Sequence, residues 1–335
     1  QMLAHLWIEK LSGKADRPSL VVAPTSVIGN WFREAERIVP EMKVAVLHGA
    51  RRHMYFEQLA DYDICITSYA LLPRDEEALR RQPFHLIVLD EAQNIKNPRT
   101  RAAVVTRRIE SRRTIALTGT PVENHLGELW ALFSVLVPGL LGSEQAFRTA
   151  FRKPIERNED SDRAGALARR LAPFMLRRTK AGVAPELPPR TEILHTVALS
   201  AHQARVYERV REEMDKRLRA LLRDSSVDDA RVEVLTALLR LRQVCCDPRL
   251  MGEPGDDESS SKFELLLELV PSMLEAGHRI LLFSQFTSML DLIANAFTRL
   301  NIDFLMLTGA TRDRQALIDR FQAGEVPVFL VSLKA

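Results

Sequence analysis

The chain has 335 residues, of which 46% are hydrophobic and 27% charged, and a formal net charge of +3. That length exceeds one comfortable hydrophobic core and predicts two or three domains of ordinary soluble composition, with a weak lean toward an anionic partner. Three cysteines (Cys65, Cys245, Cys246) exclude a disulfide framework and lack the C-x-x-C spacing of a zinc site, so the expectation is a reduced, intracellular protein. No window offers the roughly 18–20 apolar residues of a spanning helix; the nearest, Leu129 to Leu141, contains Pro138 and Gly139 and reads as buried packing.

Gln1 to Lys10 already has the pattern of an amphipathic helix, with no cap and no charged-then-apolar leader. From Ser19 to Leu141 short apolar runs alternate with helical stretches. Strands are predicted at Leu20–Ala23, Val44–Leu47, Asp63–Thr67, His85–Leu89 and Thr114–Leu117. Helices are predicted at Val27–Ile38, with Thr25 or Ser26 as cap, and at Arg51–Ala60 and Arg101–Arg107. Strands separated by helices imply a mostly parallel sheet covered on both faces, with ligands at the carboxyl ends of its strands.

From Ser143 the strands vanish. Between Glu144 and Lys180 there are ten Arg or Lys against five Asp or Glu, then Pro185, Pro188 and Pro189 break the chain. Such a segment either meets nucleic acid or simply faces water. His202–Leu222 and Val232–Leu241 repeat apolar residues at helical spacing, and the acidic, Gly- and Ser-rich stretch Met251–Ser261 reads as a loop. A second α/β pattern follows. It has helices at Phe263–Leu274, Met289–Leu300 and Arg312–Gln322, and strands at Arg279–Phe283, Phe304–Leu307 and Val328–Val331. An apolar strand runs straight to Lys334 and Ala335, so both ends read as cut from something longer.

The most informative local feature is Leu86-Ile87-Val88-Leu89-Asp90-Glu91, a buried strand that ends in two acids. Neighbouring residues of an extended chain point in opposite directions, so one carboxylate can hold Mg²⁺ through water while the other activates an attacking water. Thr118-Gly119-Thr120-Pro121 follows another strand on the same sheet edge, where its hydroxyls can bridge to those carboxylates or serve as an ordinary turn. His48, His85 and His125 are scattered without metal-ligand spacing, and Trp7, Trp31 and Trp130 lie in apolar helical patterns and read as core.

Together these residues resemble the Swi/Snf-type DNA-dependent ATPases of helicase superfamily two, in their bacterial-like branch. Asp90-Glu91-Ala92-Gln93 through Pro98 resembles the second motif, a DEAQ box, and Leu117 through Asn124 the third. Val22-Ala23-Pro24 with Asn30-Trp31 resembles motif Ia, and Thr67-Ser68-Tyr69 motif Ib. Phe174 through Lys180 resembles the basic element between the lobes, and Leu241-Arg242-Gln243 with Cys246-Asp247-Pro248 the link into lobe two. Ile280–Phe286, Thr308-Gly309 with the helix after it, and Phe329–Ala335 resemble the later blocks.

The resemblance implies two RecA-like parallel-sheet lobes, both incomplete, joined by a helical insertion. Residues 1–142 would be lobe 1 without its phosphate loop, 143–250 helical protrusions and linker, 251–261 a flexible acidic loop, and 262–335 the start of lobe 2. It also implies ATP and Mg²⁺ as cofactors. Asp90 would hold the metal through water, Glu91 would be general base, Gln93 would sense the nucleotide, and Thr118 and Thr120 would couple hydrolysis to lobe movement. Gln1 resembles the Gln that follows the phosphate loop. Backbone contacts to double-stranded DNA are expected from Pro24, Thr25, Thr67, Ser68, Arg177, Arg178 and Lys180, and in lobe two from Ser284, Gln285, Thr308, Gly309 and Ser332; a helix cap is the plainer role for each hydroxyl alone.

The implied protein is a monomeric translocase that remodels or displaces DNA-bound protein complexes and uses no membrane. Its place is the bacterial cytoplasm, at the nucleoid, or the nucleus of a eukaryote. An unwinding DNA or RNA helicase and a non-catalytic nucleic-acid or protein-binding scaffold are the alternatives. No G-x-x-x-x-G-K-[ST] occurs, and the motif that would carry arginine fingers is absent, so residues 1–335 alone are expected to be inactive.

Overall fold

The computed structural model describes residues 1–333 except 184, 185, 187, 189, 225, 226 and 254–259; the side chains of 180, 181, 220–224 and 227–231 also lie outside it. The chain forms two compact units, Gln1–Leu187 and Pro188–Ala335. This boundary falls inside the stretch expected to be one helical insertion.

In the first unit five strands form a parallel sheet: β1 (Ser19–Ala23), β2 (Val44–Val46), β3 (Ile64–Ser68), β4 (Phe84–Asp90) and β5 (Ser111–Leu117), in the order β2-β3-β1-β4-β5. The period of two sorts their side chains between two cores. Leu20, Val22, Ile87 and Leu89 pack on one face; Val21, Ile64, Ile66, Leu86 and Val88 pack on the other. Both faces are apolar because helices cover both, which is why these strands read as continuous hydrophobic runs. Each fully buried Leu, Ile or Val contributes about 1.5–3 kcal/mol.

The covering helices are α1 (Met2–Leu11), α2 (Ile28–Ile38), α3 (Glu76–Arg81), α4 (Arg101–Thr106) and α5 (Leu126–Leu136). Two differ from expectation. No side chain caps α2; a 3-10 turn, Thr25–Val27, enters it and Val27 N–H donates to the Pro24 carbonyl at 3.0 Å. The stretch expected as a helix at 51–60 is a 3-10 segment, Ala50–Asp61, with a break at Gln58 and only Leu59 buried. Too little apolar face is available to favour a regular α-helix there, and the segment is tied down through Arg52, which bonds Asp75 at 2.8 and 3.0 Å.

After α5 come α6 (Glu144–Phe147), α7 (Lys153–Asn158), α8 (Ser161–Leu171) and α9 (Lys180–Val183), with no strand between them among the described residues. Phe147, Leu167 and Leu171 pack against Leu129 and Phe133 of α5.

In the second unit α10 (Ala201–Asp224) and α11 (Val227–Cys246) pack together through Val206, Val210, Met214 and Val244. A small parallel sheet follows, β6 (Ile280–Ser284), β7 (Phe304–Leu307) and β8 (Val328–Ser332), in the order β6-β8-β7. Its helices are α12 (Ser261–Glu275), α13 (Thr287–Arg299) and α14 (Arg314–Gln322). Most of the expected acidic loop lies outside the described residues.

Candidate functional site

The carboxyl edge of the first sheet gathers the predicted residues. Register places Asp90 of β4 beside Leu117 of β5, so Thr118 leaves the sheet next to Glu91. The chain kinks at once after Asp90: Glu91 sits in the left-handed region at φ 49°, ψ 55°. A non-glycine residue costs on the order of 1–3 kcal/mol there, and its surroundings hold it. Asp90 Oδ1 accepts the Glu91 N–H at 3.0 Å, and the Asn94 N–H and side-chain amide both donate to the Glu91 carbonyl, at 3.0 and 2.8 Å. This kink, rather than the strand alternation expected from sequence, separates the two carboxylates. Asp90 is half-buried and Glu91 exposed.

Asp90 is fixed from two further sides. The indole N–H of Trp31 donates to its Oδ2 at 2.8 Å, and the Tyr69 hydroxyl donates to its backbone carbonyl at 2.8 Å. Burial, then the charges of Asp90 and Glu91, push the Tyr69 phenol far up, so it remains a donor. Trp31 packs against the core, as read from sequence, and α2 also presents its half-buried indole to the acid. Trp130 is also half-buried and donates to the Gly142 carbonyl at 3.0 Å.

Gln93 connects the two strand ends. Its amide donates to Glu91 Oε2 at 2.9 Å, and its oxygen accepts from the Thr118 hydroxyl at 2.9 Å. The Thr120 N–H donates to Thr118 Oγ1 at 3.1 Å, and the Thr120 hydroxyl to Glu123 at 3.3 Å. Glu123 pairs with Lys96, which also lies 3.8 Å from Glu128. Glu128, in the first turn of α5, reaches back to accept from the N–H groups of Glu123 and Asn124 at 2.8 and 3.0 Å and from the Asn124 amide at 2.9 Å. Burial alone would push its carboxyl up; the Asn124 and Glu123 donors and Lys96 outweigh it and hold the group at about 2.

Beside Asp90 opens a cavity of about 880 Å³, lined by Gln1, Asn30, Trp31, Phe174 and Arg178 among others. Gln1 and Arg178 thus share a wall with the acid. Arg177 is exposed, and the Lys180 side chain lies outside the described residues. Thr25 is exposed and Pro24 half-buried at the end of β1. Thr67 and Ser68 end β3 on the same edge but are fully buried, and the Thr67 hydroxyl reaches the Leu47 carbonyl at 3.5 Å. Their side chains reach no solvent, so a direct phosphate contact from them is not available in this arrangement.

In the second unit Ser284, Thr308 and Ser332 lie at the carboxyl ends of the three strands, with Ser284 opposite Ser332 in register. Ser284 bonds the backbone of Phe286 at 3.1 Å, Gln285 accepts from Arg242, Ser332 is buried, and Gly309 is exposed in the turn after Thr308. His85 is buried 3.2 Å from Glu9, while His48 and His125 are exposed. Among the described residues no three His, Cys, Asp or Glu side chains converge as a metal-binding group, and no helix is long and apolar enough to cross a membrane.

The model of the SNF2-related domain matches residues 1–250, and that of the helicase conserved C-terminal domain matches residues 261–335. The chain belongs to the SNF2-related family. YwqA of Bacillus subtilis, whose name describes an ATP-dependent helicase/translocase, is 35% identical over 347 residues; the match covers 100% of this chain and 37% of that protein. The ISWI chromatin-remodeling complex ATPase ISW1 of Saccharomyces cerevisiae is 31% identical over 348 residues, covering 98% and 30%. The chain thus spans about a third of the length of these curated relatives. The SWI2/SNF2 ATPase core of Sulfolobus solfataricus, solved with double-stranded DNA, matches at a TM-score of 0.54 and 33% identity, over 99% of this chain and 70% of that one.

For this SNF2-related chain the expected family and α/β fold hold, and Asp90, Glu91, Gln93, Thr118 and Thr120 come together at one edge. Sequence reading overlooked Trp31, Tyr69, Lys96 and Glu128 as parts of the site. The first two lay inside quoted motifs, as did Lys96. Only their hydrogen bonds across 59 and 21 residues reveal what they do.

Proposed function

We propose that the protein containing this chain is an ATP-driven translocase on double-stranded DNA that remodels or displaces protein–DNA complexes. The observation that carries the reading is the Glu91–Gln93–Thr118 hydrogen-bond chain, which joins the exits of β4 and β5 beside the cavity at Asp90. A nucleotide-driven motor needs such a link between the group that activates water and a loop that can move.

Asp90 fits Mg²⁺. Trp31 and the Glu91 N–H each take one lone pair, leaving carboxylate capacity toward the cavity, and few protein ligands suit an ion that keeps its waters. When bound, the ion supplies charge neutralisation to the triphosphate. Glu91 takes the proton of the attacking water, Gln93 orients that carboxylate, and Thr118 and Thr120 report its state to the loop that follows. Gln1 and Arg178 border the nucleotide's cavity.

Duplex contacts come from Thr25 with the Pro24 backbone, Arg177, Arg178 and Lys180 on the first lobe, and from Ser284, Gln285, Thr308, Gly309 and the backbone of the buried Ser332 on the second. Thr67 and Ser68 serve through their backbone. Such contacts hold phosphates without reading bases, so binding is salt-sensitive and sequence-independent. The solved relative bound to double-stranded DNA supports this partner over RNA.

The test is ATP turnover by the complete gene product with and without duplex DNA. Duplex should stimulate the wild type, and Glu91→Gln should lower turnover about 100-fold or more, as loss of a general base does, while leaving the fold intact. Preserved turnover in that variant would overturn the base assignment; separation of duplex strands would favour an unwinding helicase.

A further inference from the structure

We propose that Lys96 is a positioning residue of the ATPase site: by bridging Glu123 and Glu128 it locks the loop that carries Thr118 and Thr120 onto the segment that carries Glu91 and Gln93. The inference rests on the function proposed above and adds a residue to it.

Two side-chain bridges join these segments. The first is the single hydrogen bond from Thr118 to Gln93 at 2.9 Å. The second is Lys96, which follows the short 3-10 turn Ala92–Ile95 and reaches Glu123 of the opposite loop and Glu128 at the start of α5. Between the bridges the loop is exposed from Gly119 to His125 except for Pro121, and its far end is tied to Glu128 of α5. The bridges form a closed ring, Gln93–Thr118–Thr120–Glu123–Lys96, whose links are side-chain or backbone bonds. Opening the ring at Lys96 leaves the Thr118–Gln93 hydrogen bond as the side-chain link between the two segments among the described residues.

The Lys96 side chain is 37% exposed, so solvent screens the pair and its contribution to overall stability is small. Its effect on geometry is not small: a catalytic group displaced by about 1 Å can lose on the order of 100-fold in rate. Glu128, at the start of α5, is the weaker partner of the bridge at 3.8 Å, because its carboxylate already accepts from Glu123 and Asn124. Glu123→Gln breaks the ring from the other side and leaves Lys96 in place.

The experiment uses the complete gene product and measures steady-state ATP turnover at saturating duplex DNA for Lys96→Met, Lys96→Arg, Thr118→Val and the double variant Lys96→Met/Thr118→Val. Lys96→Met should lower kcat about tenfold with KM for ATP unchanged within about twofold. Arg at 96, which can reach both carboxylates, should recover most of the rate. The double variant should be no slower than Thr118→Val alone, because Lys96 acts through Thr118. Wild-type kcat in Lys96→Met, strictly additive losses in the double variant, or failure of arginine to rescue would overturn the proposal. A wild type with no DNA-stimulated turnover would instead overturn the proposed function, and this inference with it.

Discussion

Replacing Glu128 by glutamine tests how the Thr118–Asn124 loop is held. The carboxylate is 5% exposed and accepts from two backbone N–H groups and one amide. Its folded pKa of about 2 lies below the ordinary 4.5. A depressed carboxylate contributes stability that is complete above the unfolded value, near 4.5, and is lost as pH falls toward 2. A gap of roughly 2.5 units at about 1.4 kcal/mol per unit is on the order of 3 kcal/mol. Glutamine keeps the volume, but its NH₂ group meets donors where an oxygen stood, so Glu128→Gln should destabilise the first unit by about 3 kcal/mol at pH 7. By pH 3 the wild type has itself given up about 2 kcal/mol of this, and the difference should narrow to about 1 kcal/mol. Chemical denaturation followed by tryptophan fluorescence is the assay: the three tryptophans, Trp7, Trp31 and Trp130, all lie in residues 1–187, so the signal reports this unit alone. Comparing the variant with the wild type cancels the other carboxylates. An equal difference at pH 7 and pH 3, or one under about 1 kcal/mol at pH 7, would refute the claim that the charged form holds the loop.

Trp31→Phe removes the indole donor from Asp90 while keeping an aromatic ring in place; in the complete protein the concentration of Mg·ATP giving half-maximal turnover should rise about tenfold to a hundredfold, as expected for losing one hydrogen bond to a charged group, and an unchanged titration would detach Trp31 from the site. Tyr69→Phe leaves the Asp90 carbonyl without its hydroxyl donor, and the first unit should lose about 1–2 kcal/mol in the same fluorescence assay.

Much of this molecule was legible from residue order alone. The strands of the first sheet were predicted to within a few residues because their runs are uninterrupted, and both faces of a parallel sheet are covered by helices. The long stretch expected at 51–60 was the least legible, because Arg52 and its distant partner Asp75 decide its conformation rather than any periodic apolar face. The burial of Thr67 and Ser68, expected as DNA contacts, was illegible for a related reason: hydroxyls at a strand end look available until neighbouring strands enclose them.

Sequence by itself determined the family, the two α/β patterns and the acids Asp90 and Glu91, since each is written in consecutive residues or in a period of two or four. Tertiary structure alone decided which side chains complete the site. The left-handed turn at Glu91, the indole of Trp31 on Asp90 and the bridge from Lys96 to Glu123 join residues between 27 and 59 positions apart, or depend on a backbone angle that no spacing encodes. Such contacts exist only once the parallel sheet has brought its carboxyl ends together.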